Sequence, residues 1–145
     1  MATSPTQPED PAVLELRAFL ASKNSPMPAE ELMKYPNWSA IVAISAAESG
    51  YGKFRAGDNN AWGIKDFRSG SPKFGRTRDF ESWAASIQYT SELLFKYDPV
   101  DGMPDPKQMA PTWKSVRPYH NWIGNVSYAL KDISQNVTLA AQPIG

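Results

Sequence analysis

The chain has 145 residues, of which 41% are hydrophobic and 12% aromatic, values typical of one globular domain with its own core. The formal net charge is zero, which argues against a nucleic-acid-binding protein with a strongly basic face. The absence of cysteine excludes disulfides, thiol catalysis and cysteine-ligated zinc. We interpret the single histidine, His120, as a surface residue beside a helix cap, and we expect no metal site and no cofactor.

Residues 1–10 are rich in proline, serine, threonine and glutamine, which is typical of a flexible tail. They have neither the basic start nor the apolar centre of a signal peptide. We therefore expect that the chain is trimmed or is one piece of a longer protein. The domain itself is predicted to span residues 11–140. No run reaches the roughly 18–20 apolar residues of a membrane span.

Two short-range signals predict the first helices. Asp10 followed by Pro11 is typical of a helix cap and first turn, and apolar residues then recur on one face. A short second helix is predicted over residues 28–34, and it must stop before Pro36 because the residue preceding a proline disfavours helical backbone.

The third helix is predicted to start from a cap at Asn37 or Ser39 and to run through Glu48, with Gly50 ending it. Residues 41–47 are apolar nearly all round, as expected for a central, buried helix. A carboxylate at the end of such a run has two interpretations, because charge is costly inside a core. It is a general acid whose pKa is raised by apolar surroundings, or it lies at a helix end and points into solvent. The spacing leaves both open.

A glycine-rich loop follows, and residues 62–67 are predicted to pair with residues 74–80 as a small antiparallel hairpin. Ser82 is predicted to cap a fourth helix. The apolar stripe of that helix contains Trp83, Ile87, Leu94 and Tyr97.

Residues 98–118 contain five prolines and are predicted to be irregular, with at most one helical turn near residues 107–110. The last helix is predicted to begin at Asn121. Its apolar positions have helical spacing and are Ile123, Val126, Leu130, Ile133 and Val137. The order of these elements predicts a mainly α fold, with a central buried helix, surrounding helices and one short β-hairpin lobe.

Charge is uneven along the chain. Residues 51–80 contain seven basic side chains against three acidic ones. Such a segment favours an anionic polymer as partner, or it is simply a solvated surface.

Three motifs occur in a defined order. Residues 48–53 read Glu-Ser-Gly-Tyr-Gly-Lys, residues 60–65 read Asn-Ala-Trp-Gly-Ile-Lys, and residues 77–87 lead into the fourth helix. In this order they resemble the bacterial peptidoglycan-lytic glucosaminidases of the lysozyme-like superfamily, whose domain is of the mannosyl-glycoprotein endo-β-N-acetylglucosaminidase type. The resemblance covers about residues 38–97, and residues 110–126 resemble the closing region of some members more loosely.

The resemblance implies an α+β lysozyme-like fold and a glycosidase that cleaves the β-1,4 glycan backbone of peptidoglycan, of N-acetylglucosaminidase or muramidase type. It assigns Glu48 as the general acid. Family members have a second carboxylate on the first strand of a longer β-lobe. In this shorter lobe Asp66 is the best placed, with Asp79 and Glu81 as weaker candidates. Without a second acid, the substrate's N-acetyl group or a lytic-transglycosylase route would complete the reaction, since both need only one protein acid.

Several polar and aromatic residues are candidates for substrate binding, because flat aromatic rings stack on the C–H faces of sugars. The alternative for each aromatic residue is core packing, for Asn60 a turn, and for Ser49 a hydrogen bond that holds the helix end. The substrate-binding candidates are Ser49, Tyr51, Asn60, Trp62, Tyr119 and Trp122, with Trp113 as a further stacking candidate.

Three functions are consistent with these sequence features. The first is a peptidoglycan glycosidase, which would act on glycan strands as a monomer outside the cell, in the cell wall or the periplasm. The second is a non-catalytic glycan-binding module that retains the fold. The third is a structural domain of a phage tail or secretion device. None of the three requires nucleic acid, a membrane span or a cofactor.

Overall fold

The computed structural model describes residues 9–114 and 117–139. Helices account for 54% of the structure, which confirms the mainly α class. The helices of the described residues are α1 (Pro11–Ser22), α2 (Ala29–Leu32), α3 (Trp38–Ser49), α4 (Trp83–Tyr97), α5 (Pro106–Lys114) and α6 (His120–Asn136). None of these helices is both long and apolar enough to cross a bilayer.

The predicted caps of α1 and α4 are present. The Asp10 carboxylate accepts a hydrogen bond from the backbone N–H of Ala12 at 2.9 Å, and the Ser82 hydroxyl accepts one from the backbone N–H of Ala85 at 3.0 Å. Each bond satisfies a donor that the first helical turn leaves unpaired. Most of the predicted tail, residues 1–8, lies outside the described residues.

Helix α3 forms the centre of the core and packs against α6 and α4. Ile41, Val42 and Ala43 have no exposed surface, and burying each of the two larger side chains contributes about 1.5–3 kcal/mol. Gly50 ends the helix in the left-handed conformation, with φ of +56°, as predicted. This stop puts Glu48 in the last turn of the most buried helix.

Asn37 precedes α3 as predicted, but its side chain makes no capping bond. Its amide instead donates to the carbonyls of Ser91 at 3.2 Å and Gly102 at 3.1 Å, and its Oδ1 accepts from the Ser91 hydroxyl at 2.7 Å. Because Asn37 is fully buried, its amide must find partners inside the protein. These partners connect the start of α3 to α4 and to the loop that follows α4.

The predicted hairpin is reduced to one isolated antiparallel bridge between Lys65 and Thr77. Backbone bonds flank it, from Asp66 N–H to the Arg76 carbonyl at 2.7 Å and from Arg78 N–H to the Ile64 carbonyl at 2.8 Å. No longer strand occurs between residues 9 and 114 or between 117 and 139.

Residues 98–118 depart from the prediction, since α5 extends over nine residues with Pro111 inside it. An internal proline removes one backbone hydrogen bond and costs about 3 kcal/mol. Burial of Met109 and Ala110, together with the packing of α5 on α6, offsets this cost. Helix α6 begins at His120, one residue before the predicted start.

Candidate active site

Glu48 lines a cavity of about 540 Å³. Its side chain is half-buried, so the carboxylate does not extend freely into solvent. The other lining residues come from the loop after α3, from α4 and from α5. They are Trp62, Gly63, Ile64, Lys65, Phe67, Tyr89, Leu93, Tyr97, Thr112, Trp113 and Lys114. Glu48 is the one carboxylate among them, and most of the wall is aromatic or aliphatic.

Trp122 contacts this carboxylate from α6. Its indole Nε1–H donates to Glu48 Oε1 at 2.7 Å, a bond that joins residues 74 positions apart in the sequence. The indole is itself buried. On the other side, a Cβ at Gly63 would lie 3.3 Å from Glu48 Oε2, so the backbone of the loop comes close to the acid. The carboxylate is therefore held between α6 and the loop.

Burial raises the pKa of Glu48 above its ordinary value. Four smaller influences oppose this rise and stabilise the ionised form: the hydrogen bond from Trp122, the positive charge of Lys114, the Trp113 indole and the charge of Lys65. Desolvation is the largest effect and determines the direction. A larger share of Glu48 is thus protonated near neutral pH than of an exposed glutamate, as a general acid requires.

Asp66 does not share this cavity. Its carboxylate is buried and accepts hydrogen bonds from the Arg68 guanidinium at 2.7 and 3.0 Å and from the Ser71 hydroxyl at 2.6 Å. The bonds from Arg68, followed by that from Ser71, hold the pKa of Asp66 well below its ordinary value. Asp66 is absent from the cavity wall, so the expectation that it faces Glu48 across a cleft has no support in the geometry. Its carboxylate instead stabilises the 66–71 turn.

Ser49 and Asn60 use their polar atoms within the protein. The buried Ser49 hydroxyl donates to the Ala61 carbonyl at 2.5 Å and accepts from the Gly52 N–H at 2.9 Å. The buried Asn60 amide donates to the carbonyls of Ile64 at 2.9 Å and Arg78 at 2.8 Å. These bonds favour the structural interpretation of both residues, as a helix-end lock and a turn residue.

The aromatic candidates separate into different environments. Trp62 lines the Glu48 cavity and is almost fully buried, with its Nε1–H donating to the Ile41 carbonyl at 2.8 Å. Tyr51 lies on the α1 side, where its ring meets Phe19 edge-on at 5.7 Å. Tyr119 directly precedes α6 and packs against the core. Neither Tyr51 nor Tyr119 is among the residues that line the Glu48 cavity.

Sequence reasoning missed Lys114 and Tyr97 as residues of this site. The sequence places Tyr97 on the apolar stripe of the fourth helix, and Lys114 lies in a segment predicted to be irregular. Helix α5 brings Lys114 to the cavity together with Trp113, whose ring centroid lies 6.0 Å from that of Tyr97. The five prolines of residues 98–118 predict irregular backbone, so the sequence did not indicate α5, the helix that positions Trp113 and Lys114.

The basic excess of residues 51–80 is partly neutralised. Arg68 is paired with Asp66, and Lys73 is paired with Asp79 at 2.5 Å. Lys65 is the one basic residue of this segment that lines the Glu48 cavity. Within residues 9–114 and 117–139, no group of His, Asp or Glu side chains is arranged to hold a metal ion.

Comparison with known proteins adds no relative. No family model matches the chain, and no curated protein or solved structure is significantly similar to it.

Proposed function

We propose that this protein is a peptidoglycan glycosidase that cleaves the β-1,4 glycan backbone with Glu48 as its general acid. The observation that carries the proposal is a half-buried glutamate with a raised pKa in the wall of an aromatic-lined cavity of about 540 Å³. A protonated carboxyl in such a cavity can deliver its proton to the leaving glycosidic oxygen. Because peptidoglycan is the proposed substrate, the protein would act on the cell wall, outside the cell or in the periplasm.

The catalytic route follows from the number of carboxylates in the cavity. Of the described residues, Glu48 is the one acid that lines it, and Asp66 is held by Arg68 and Ser71. A route with two protein carboxylates has no second partner here. The oxocarbenium-like centre is therefore stabilised by the substrate's own N-acetyl group, with either water or an intramolecular hydroxyl completing the reaction.

Aromatic rings in the cavity provide surfaces for sugars. Trp113 and Tyr97 are both half-buried and line the cavity beside the acid. Phe67, which is 69% exposed, extends the aromatic wall toward solvent. The C–H faces of a pyranose are apolar, so a sugar ring can stack on the flat faces of these aromatic rings.

Wall lysis by Glu48→Gln tests the assignment, because glutamine keeps the shape of the side chain but has no acidic proton. We expect the rate of turbidity clearing of purified cell walls to fall by about two to four orders of magnitude while the fold is retained. Glu92→Gln is the matched control, since Glu92 is exposed on α4 and should leave lysis unchanged. Lysis by Glu48→Gln at the wild-type rate would refute the proposal.

Mass spectrometry of the released muropeptides identifies which glycosidic bond is cleaved and whether water or an intramolecular hydroxyl completes the reaction. Hydrolysis adds one water molecule across the cleaved bond. Attack by an intramolecular hydroxyl gives a product lighter than this by one water molecule. The sugar at the newly formed end, whether that end is reducing after hydrolysis or an internal acetal after intramolecular attack, distinguishes glucosaminidase from muramidase cleavage.

A second candidate function is glycan binding without catalysis, either as a free module or within a phage or secretion device. The observation in its favour is the same absence of a second carboxylate from the lining residues of the cavity. This function predicts that wall fragments bind to wild type and to Glu48→Gln with equal affinity and that neither releases muropeptides. The turbidity and mass-spectrometric measurements separate the two functions.

A further inference from the structure

A second cavity of about 320 Å³ lies between the end of α3, the end of α5 and the start of α6. Ala47 contributes from α3, next to Glu48 in the sequence. The remaining residues that matter here are Lys114, Arg117, Asn121, Trp122 and Asn125. Lys114, Arg117, Asn121 and Asn125 are exposed, whereas Trp122 is buried beneath them. The cavity is therefore open to a ligand from solvent.

Two residues, Lys114 and Trp122, connect the second cavity with the Glu48 cavity. Lys114 lines both cavities. Trp122 lines the second cavity and donates its hydrogen bond to Glu48, which lines the first. A polymer whose scissile bond is at Glu48 would thus present its neighbouring groups to the second cavity.

The second cavity is cationic. Among the described residues, its wall has two positively charged side chains, Lys114 and Arg117, and no carboxylate. Neither cation makes an ion pair within the part of the chain that the structure describes, whereas Arg68 and Lys73 each have an acidic partner. Asn121 and Asn125 lie one helical turn apart on α6 and add amide groups that can donate hydrogen bonds. This combination is suited to a carboxylate, since arginine binds one with two parallel N–H bonds.

We propose that this cavity is a carboxylate-binding subsite for the glycan strand cleaved at Glu48, an inference that rests on the proposed function. Peptidoglycan differs from a neutral chitin-like chain in its carboxylates, which belong to the lactyl group of a sugar without a peptide or to the peptide stem. A subsite for this group selects the acidic wall polymer over neutral N-acetylglucosamine polymers.

NMR titration of the ¹⁵N-labelled full chain tests the subsite without needing turnover. The three probes are N-acetylmuramic acid, which has a free lactyl carboxylate, muramyl dipeptide, whose carboxylate is on its peptide, and the neutral N-acetylglucosamine. We expect at least one anionic probe to shift the backbone amides of Ala47, Asn121 and Asn125, while N-acetylglucosamine leaves them unchanged. The probe that binds identifies the source of the carboxylate.

Arg117→Gln should weaken binding of that anionic probe about three- to tenfold, as expected for a charge-assisted bond at an open site. Lys107→Gln is the matched control, because Lys107 is an exposed cation on α5 and lines neither cavity. The proposal is overturned if neither anionic probe shifts these amides, if N-acetylglucosamine shifts them equally, or if Arg117→Gln binds as wild type does.

The outcomes separate this inference from the proposed function. Anionic probes that shift the amides while Glu48→Gln still clears walls would support the subsite and refute the catalytic assignment. Loss of lysis in Glu48→Gln without any shift of these amides would support the assignment and refute the subsite.

Discussion

Replacing Ser49 with alanine separates its structural role from a sugar-binding role. The hydroxyl bonds to two backbone groups of the loop that follows α3, the Gly52 N–H and the Ala61 carbonyl. Both residues are buried, and no other hydrogen bond to these two groups occurs within the described residues. The substitution would therefore leave one donor and one acceptor unpaired inside the protein.

The size of the effect follows from these two groups. An unpaired buried donor or acceptor costs about 1–3 kcal/mol. Partial relaxation of the loop reduces the sum, so we expect Ser49→Ala to lower the free energy of unfolding by about 2–4 kcal/mol. This is a large fraction of the roughly 5–15 kcal/mol of a typical domain. It corresponds to a fall in Tm of about 6–15 °C for a chain of this length.

Urea denaturation followed by tryptophan fluorescence measures this loss. Ser45→Ala is the matched control, because the buried Ser45 hydroxyl donates at 2.6 Å to the Val42 carbonyl within the same helix. That carbonyl has a backbone donor of its own in the helical ladder, so the control should cost less than about 1 kcal/mol. If Ser49→Ala is as stable as the control and instead loses affinity for wall fragments, Ser49 is a sugar ligand and the structural argument is refuted.

Three further predictions concern the acid and the loop beside it. Trp122→Phe removes the indole donor that stabilises ionised Glu48, so the pKa of Glu48 should rise. The alkaline limb of the pH–rate profile of lysis should then move to higher pH, and an unchanged limb would contradict this expectation. The folded-state pKa of Glu48 is already raised, so its contribution to stability is complete below the unfolded pKa and is lost as pH rises through the folded one. Thermal unfolding at pH 4 and pH 8 should therefore show Glu48→Gln gaining Tm relative to wild type at the higher pH, and a difference independent of pH would exclude this linkage. Gly63 has φ of +65° beside Glu48, so Gly63→Ala should lower the free energy of unfolding by at least about 1 kcal/mol and slow lysis. Gly124→Ala is the control, because Gly124 faces open space on α6 and alanine there should leave stability equal or higher. Equal stability of the two variants in urea would refute the strain at Gly63.

Local signals in the sequence determined where several helices begin and end. Asp10 and Ser82 cap helices because their side chains reach backbone N–H groups two or three residues away. Gly50 ends α3 because glycine adopts the left-handed conformation without a steric penalty. The apolar run before Glu48 likewise identified the helix at the centre of the core. Each of these effects depends on neighbours within a few positions, which a sequence displays directly.

Tertiary structure decided which groups surround the acid. The partner of Glu48 is Trp122, 74 residues away, and no local pattern shows that α6 crosses α3 at that point. Asp66 directly follows the motif of residues 60–65, but its carboxylate forms an ion pair with Arg68. Helix α5 forms despite Pro111 because packing on α6 offsets a lost backbone bond. In each case the stabilising free energy comes from contacts that exist only after the chain has folded. The helices with local start and stop signals were therefore predictable, whereas α5 and the partners of Glu48 were not.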